Sequence, residues 1–95
     1  GEGAGPLLYQ IGEVQISLQV QADPTYPGRR LLLGFVIGIP CAGLEANLAL
    51  QDQVVATVPL DALGNLSVPG VPPGTYHLIV RGPTAEVHIL ELEVA

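Results

Sequence analysis

From Glu13 to Gln21 the chain alternates apolar and polar residues without a break. Val14, Ile16, Leu18 and Val20 fall on one face, and Glu13, Gln15, Ser17, Gln19 and Gln21 on the other. That period of two specifies an extended strand with one face in a core, because successive strand side chains point to opposite sides. An apolar strand face needs a second layer to cover it. No helical stripe of useful length appears anywhere in the sequence, so the second layer must also be sheet.

The rest of the chain reads as short strands separated by glycine and proline. The Leu7-Leu8-Tyr9-Gln10-Ile11 run precedes the long strand, with Gly12 as a bend or bulge between them. Asp23 to Gly28 is a turn stiffened by Pro24 and Pro27. Arg30 to Ile39 reads as a strand buried on both sides, and Pro40 to Gly43 as the next turn. Glu45 to Asp52 alternates with Ala46, Leu48 and Leu50 inward, and a tight link at Gln51-Asp52-Gln53 predicts a hairpin into Val54–Leu60. Asp61 to Asn65 reads as a second hairpin turn, Leu66 to Pro69 as a short strand and Gly70 to Gly74 as a rigid loop. In Thr75–Arg81, Tyr76, Leu78 and Val80 share one face, and Thr75, His77, Ile79 and Arg81 the other. Gly82-Pro83 turns the chain into a last strand, Ala85–Val94. Its apolar phase changes between Ile89 and Leu90, which predicts a bulge or a strand covered on both faces. Seven or eight strands of this kind make an all-β chain, an antiparallel β-sandwich. At 95 residues there is room for one core. We expect residues 1–12 to be an N-terminal extension and 13–95 the sandwich domain.

Charge narrows the partners. Nine acids stand against three arginines and no lysine, giving a net charge of −6. Nucleic-acid binding needs a basic stripe that displaces counterions from phosphates, which Arg29, Arg30 and Arg81 cannot supply. Tyr9, Tyr26, Phe35 and Tyr76 are too sparse to form a base-stacking platform. An anionic membrane surface is disfavoured by the same charge. The uncharged stretch Leu31–Leu44 is shorter than the roughly 20 apolar residues a spanning helix needs, and Pro40 interrupts it. The start at Gly1 rather than Met leads us to expect a leader, tag or upstream domain outside this sequence. The single cysteine, Cys41, has no partner for an intrachain disulfide and reads as a small buried hydrophobe in its turn.

Little in the sequence promises chemistry. Ser17 and Ser67 both fall in strands, without the sharp Gly-x-Ser-x-Gly turn that exposes a nucleophile. The Gly70–Gly74 stretch contains two prolines and opens a strand, so it is not a phosphate-cradling loop before a helix. Glu86 and His88 alternate onto one strand face, and His77 lies on a neighbouring strand. These three are the best metal candidates, although an edge strand guarded by Glu86, Glu91 and Glu93 explains the acids as well. Asp23, Asp52 and Asp61 sit in turns rather than in a clustered calcium pattern. We expect no catalytic residue, no metal ligand and no cofactor.

Val58-Pro59-Leu60-Asp61-Ala62-Leu63-Gly64-Asn65-Leu66, followed by Val71-Pro72-Pro73-Gly74-Thr75-Tyr76-His77-Leu78, resembles the carboxypeptidase regulatory-like domain. Those domains share an Asp-x-x-Gly turn, a short strand, then Pro-Gly-x-Tyr opening the next strand. Asp61 to Gly64 and Pro73 to Tyr76 match position by position. The resemblance implies a prealbumin-like, Ig-like sandwich in which Asp61, Gly64, Pro73, Gly74 and Tyr76 are structural. Asp61 would bond turn N–H groups, Gly64 would take a positive φ, Gly74 would let the backbone reverse, and Tyr76 would bond back to main chain. Leu7–Gln10, Glu13–Leu18 and Gly28-Arg29-Arg30 are similar to versions that close bacterial zinc-finger, anti-sigma-type proteins. This sequence does not include the zinc-finger part, so neither metal nor sigma-factor binding is carried over.

Two non-catalytic readings follow. In the first, the chain is a structural protein that self-assembles into a homo-oligomer or fibre by β-augmentation. Its long strands carry no lysine to guard their edges, and its mean hydropathy of +0.47 is high for so small a domain. Leu7, Leu8, Tyr9 and Ile11 are then the donor strand, with Gly12 as hinge into the neighbour. An extracellular or cell-surface location goes with this reading. In the second, the chain is the sensing or docking C-terminal domain of an anti-sigma-type regulator, with another protein as partner and a cytoplasmic location.

Overall fold

The computed structural model describes residues 6–95, so the expectations for Gly1–Gly5 lie outside the described residues. Eight strands form: β1 (Leu7–Ile11), β2 (Val14–Ala22), β3 (Arg30–Ile37), β4 (Glu45–Leu50), β5 (Gln53–Pro59), β6 (Asn65–Val71), β7 (Gly74–Arg81) and β8 (Glu86–Val94). They make two four-stranded sheets, β1-β2-β3-β6 and β5-β4-β7-β8, called sheet A and sheet B below. Every pairing is antiparallel. The chain is a β-sandwich.

The core lies between the sheets and follows the alternation of the strands. Sheet A contributes Ile16, Leu18, Leu32, Val36, Leu66 and Val68, and sheet B contributes Leu48, Leu78, Val80, Ile89, Leu92 and Val94. Burying each of the larger side chains favours folding by about 1.5–3 kcal/mol before ordering costs. In β8, Leu78 pairs with Ile89 and Tyr76 with Leu92, so Leu90 and Glu91 together oppose His77. Glu91 takes φ 55° there. This bulge returns Leu92 and Val94 to the core face on which Val87 and Ile89 already lie, and leaves Leu90 exposed.

Four connections set the architecture. Gly12 (φ 62°) and Glu13 join β1 to β2, with a positive φ only at the first central residue, as in a type II′ hairpin. Gln51 (φ 51°) and Asp52 (φ 68°) join β4 to β5 with both central φ positive, the type I′ signature. Pro72-Pro73 carries the chain from sheet A to sheet B. Asp61–Gly64 also crosses between sheets, which corrects the expectation of a second hairpin. β6 pairs with β3, not with β5, because Leu66 and Val68 are buried by lying in sheet A against the inner face of sheet B.

Three further expectations change. β3 ends at Ile37 and is not buried on both sides. Leu32, Gly34 and Val36 are buried, whereas Phe35 and Ile37 are exposed and Leu31 and Leu33 half-buried. Leu50 is exposed rather than inward, because it ends β4 beside the Gln51-Asp52 turn, at the end of the sheet. Gly74 is not among the positive-φ glycines, so it neither reverses the chain nor needs a left-handed conformation. It starts β7 with the Tyr76 ring beneath it, where an added Cβ would lie 3.4 Å from Cε1.

Candidate interaction edge

Asp61, Gly64 and Tyr76 lie at the two crossings that flank β6. Asp61 Oδ1 accepts the backbone N–H groups of Leu63 and Asn65, each at 2.9 Å. The Asn65 side-chain amide donates to Oδ2 at 3.1 Å. These bonds, the Asn65 backbone N–H foremost, hold the Asp61 carboxyl below the usual carboxylate range against an opposing effect of burial. Gly64 has φ 96°, and a Cβ there would collide with the Val36 carbonyl oxygen. Tyr76 is buried and its hydroxyl donates to the Pro72 carbonyl at 2.7 Å, so the tyrosine ties β7 to the crossing that leads into it. Burial raises the pKa of its phenol, opposed by the Arg29 charge.

The candidate metal ligands share a face but do not converge. His77 Nε2 lies 2.8 Å from His88 Nδ1, while Glu86 Oε1 lies 3.4 Å from Nε2, on the other edge of the same His88 ring. Arg81 holds Glu86 from the far side at 3.0 Å. Among the described residues, no group of three or more His, Cys, Asp or Glu is arranged to hold a metal ion. Ser17 and Ser67 belong to sheet A and both histidines to sheet B, so no serine faces an imidazole base. Cys41 is buried, with Sγ 3.4 Å from the Ile39 carbonyl, and burial pushes its thiol pKa up, assisted by Asp61. That makes it a poor nucleophile. An open groove beside β5 and β6 is lined by Val58, Pro59, Leu60, Leu66 and Ser67. Its one titratable side chain, Asp61, already has its oxygens committed to the turn.

The four sheet edges differ in how they are guarded. β8 carries Glu86, Glu91 and Glu93 and is bulged. β5 contains Pro59 and is bulged opposite Leu48/Ala49. β6 contains Pro69 and a register shift opposite Arg30/Leu32. Charge, proline and bulges are the usual means by which an edge is kept from pairing with another chain. β1 has none of them within Leu7–Ile11, and it pairs on one side only.

The expected donor residues all lie on that edge. Leu7, Tyr9 and Ile11 share the face of Leu18, Ile16 and Val14, their partners in β2, and Tyr9 packs against the core. Leu8 points to the outer face and is 79% exposed. The segment therefore completes its own sheet A as the first arm of a hairpin, and donation to a neighbour would require that hairpin to open at Gly12-Glu13.

A second feature escaped the sequence reading. The outer face of sheet A carries Gln15, Ser17, Gln19 and Gln21 from β2, Leu31, Leu33, Phe35 and Ile37 from β3, and Asn65 and Ser67 from β6. None of these side chains is charged, although the chain has nine acids. The absence of lysine and glutamate from alternate positions of β2 and β3 was the available signal. It was masked because a two-sided apolar run looks the same whether or not something covers it.

The fold and edge define an eight-stranded, two-sheet β-sandwich with one unguarded strand edge. Compared with protein-family models, with curated proteins and with solved structures, the chain matches none of them.

Proposed function

We propose that this chain is a non-catalytic interaction protein that self-associates through the β1 edge into an oligomer or fibre. The observation that carries the reading is β1 itself, among the described residues the one sheet edge without charge, proline or bulge. A second copy can add a strand there by main-chain hydrogen bonds, with exposed Leu8 and its neighbours supplying apolar contact. The uncharged outer face of sheet A adjoins this edge and lets copies carrying −6 each approach with little local repulsion. Pairing of β1 with β1 of a second copy is isologous and closes as a two-fold dimer, whereas a fibre needs β1 to pair with a different edge, the heterologous arrangement that can extend without closing.

Light scattering at tens of micromolar tests it. The parent should be multimeric, and Leu8→Lys with Gln10→Lys should reduce it to a monomer with an unchanged melting temperature. Deleting residues 1–11 separates this edge from any other. A monomeric parent, or a truncated chain that keeps the parent's mass, sinks the proposal.

The Asp61 turn and the Tyr76–Pro72 bond support the second reading, a carboxypeptidase regulatory-like docking domain of an anti-sigma-type regulator. Reading the complete coding sequence separates the two. An upstream Cys/His zinc module favours docking, and a secretion leader favours the fibre.

A further inference from the structure

We propose that His77 and His88 form a two-imidazole site for a divalent metal ion that prefers right-angled coordination, copper(II) or nickel(II). His88 pairs with Ile79 across β7 and β8, which makes His77 its diagonal neighbour on the outer face of sheet B. The two rings lie 4.9 Å apart between centroids and are tilted by 46°. Their facing nitrogens, His77 Nε2 and His88 Nδ1, are 2.8 Å apart.

The protons can be assigned from the chemistry of the partners. Glu86 lies 3.4 Å from His88 Nε2, so its negative charge favours a proton on that nitrogen when both rings are neutral. His88 Nδ1 then holds a free lone pair, and His77 Nε2–H donates to it. Glu86 thus lies on the side of His88 away from His77, where its charge favours the tautomer that leaves Nδ1 free. Arg81, at 3.0 Å, keeps Glu86 in place. Moving the His77 proton to its Nδ1 frees a second lone pair at the same spot, so a metal ion can replace the shared proton.

The spacing selects the metal. Two nitrogens at about 2.0 Å from an ion and at right angles to each other are about 2.8 Å apart, whereas a tetrahedral site needs about 3.3 Å. The 2.8 Å is the span of the present N···N hydrogen bond, and it equals the separation of adjacent positions of a square once the rings turn their lone pairs off that axis. Water would fill the remaining positions, since Glu86 lies beyond the far edge of His88 and does not reach the ion. Each ring must tilt to aim its own lone pair at the ion, and His88, at the surface, and His77, only half-buried, have room to do so.

Calorimetric titration of the metal-stripped full chain with copper(II) chloride alone, followed by electron paramagnetic resonance of the one-equivalent complex, tests the site. One ion should bind per chain, with coupling to two imidazole nitrogens in the spectrum. His77→Ala and His88→Ala should each weaken binding at least tenfold without moving the melting temperature, and Glu86→Gln should weaken it several-fold. The proposal is overturned if the spectrum lacks nitrogen coupling, or if either single histidine variant binds copper as the parent does. A double variant with parental affinity would place the ion elsewhere and overturn it too.

Discussion

Asp23 Oδ2 accepts the backbone N–H of Gly70 at 2.7 Å, across a sequence separation of 47 residues. Its other oxygen accepts the N–H groups of Thr25 at 2.7 Å and Tyr26 at 3.2 Å. One buried carboxylate therefore shapes the β2–β3 loop and clips it to the end of β6. Burial pushes the Asp23 pKa up, but the N–H groups of Gly70, Thr25 and Tyr26 outweigh it and leave the group below its ordinary value.

Acid should weaken the fold through this group and Asp61. Both carboxyls are lowered in the folded state, so the charged forms favour it. Their contribution is fully present above the unfolded value of about 4 and is lost as pH falls through the lower folded values. Melting temperature should be flat from neutral pH to about pH 5 and fall below about pH 4. Asp23→Asn combined with Asp61→Asn should melt lower at neutral pH and lose most of the acid slope. Parallel acid slopes in parent and variant would count against the assignment.

Gly64 and Gly74 should respond very unequally to alanine. At Gly64 the methyl would collide with the Val36 carbonyl oxygen with φ at 96°, so Gly64→Ala should cost on the order of 3 kcal/mol or more. At Gly74 the nearest atom is Tyr76 Cε1 at 3.4 Å and no positive φ is required, so Gly74→Ala should cost less than about 1 kcal/mol. Equal losses in denaturant titration would contradict the geometry.

Tyr76→Phe removes the 2.7 Å bond to Pro72 while keeping the buried ring. The expected loss is about 0.5–1.5 kcal/mol. For a domain of this size, each kcal/mol corresponds to roughly 4–8 °C in melting temperature. An unchanged melting curve would mean that water satisfies the Pro72 carbonyl equally well.

The β4–β5 hairpin offers a gain. Gln51 and Asp52 both hold positive φ without being glycine. Replacing them by Asn and Gly, the pair best suited to a type I′ turn, should stabilise the fold by about 1 kcal/mol. A loss instead would show that Gln51 or Asp52 makes a contact that outweighs backbone strain.

What was legible in the sequence was local. The exact alternation of β2 fixes its inward face, and the phase change at Ile89-Leu90 announces the β8 bulge, since both are properties of consecutive residues. Asp61, Gly64 and Tyr76 were readable for the same reason, because each bonds or packs within a few residues of itself. The Asp61–Asn65 turn was misread because its local chemistry is identical in a hairpin and in a crossing between sheets.

The sequence alone determined that this protein is all-β, where its strands and turns lie, and which side of each alternating strand faces inward, because backbone sterics and hydrophobic burial act residue by residue. Only the tertiary structure decided which strand pairs with which. Pairing β6 with β3 rather than β5 sets the crossings, makes β1 an open edge, and leaves the Leu31–Ile37 row facing outward. In sheet B the β7–β8 register and its bulge set His77 beside His88 and leave Glu86 at the far nitrogen. Those relations depend on register between distant segments, and register is fixed by the joint burial of both sheets rather than by any segment on its own.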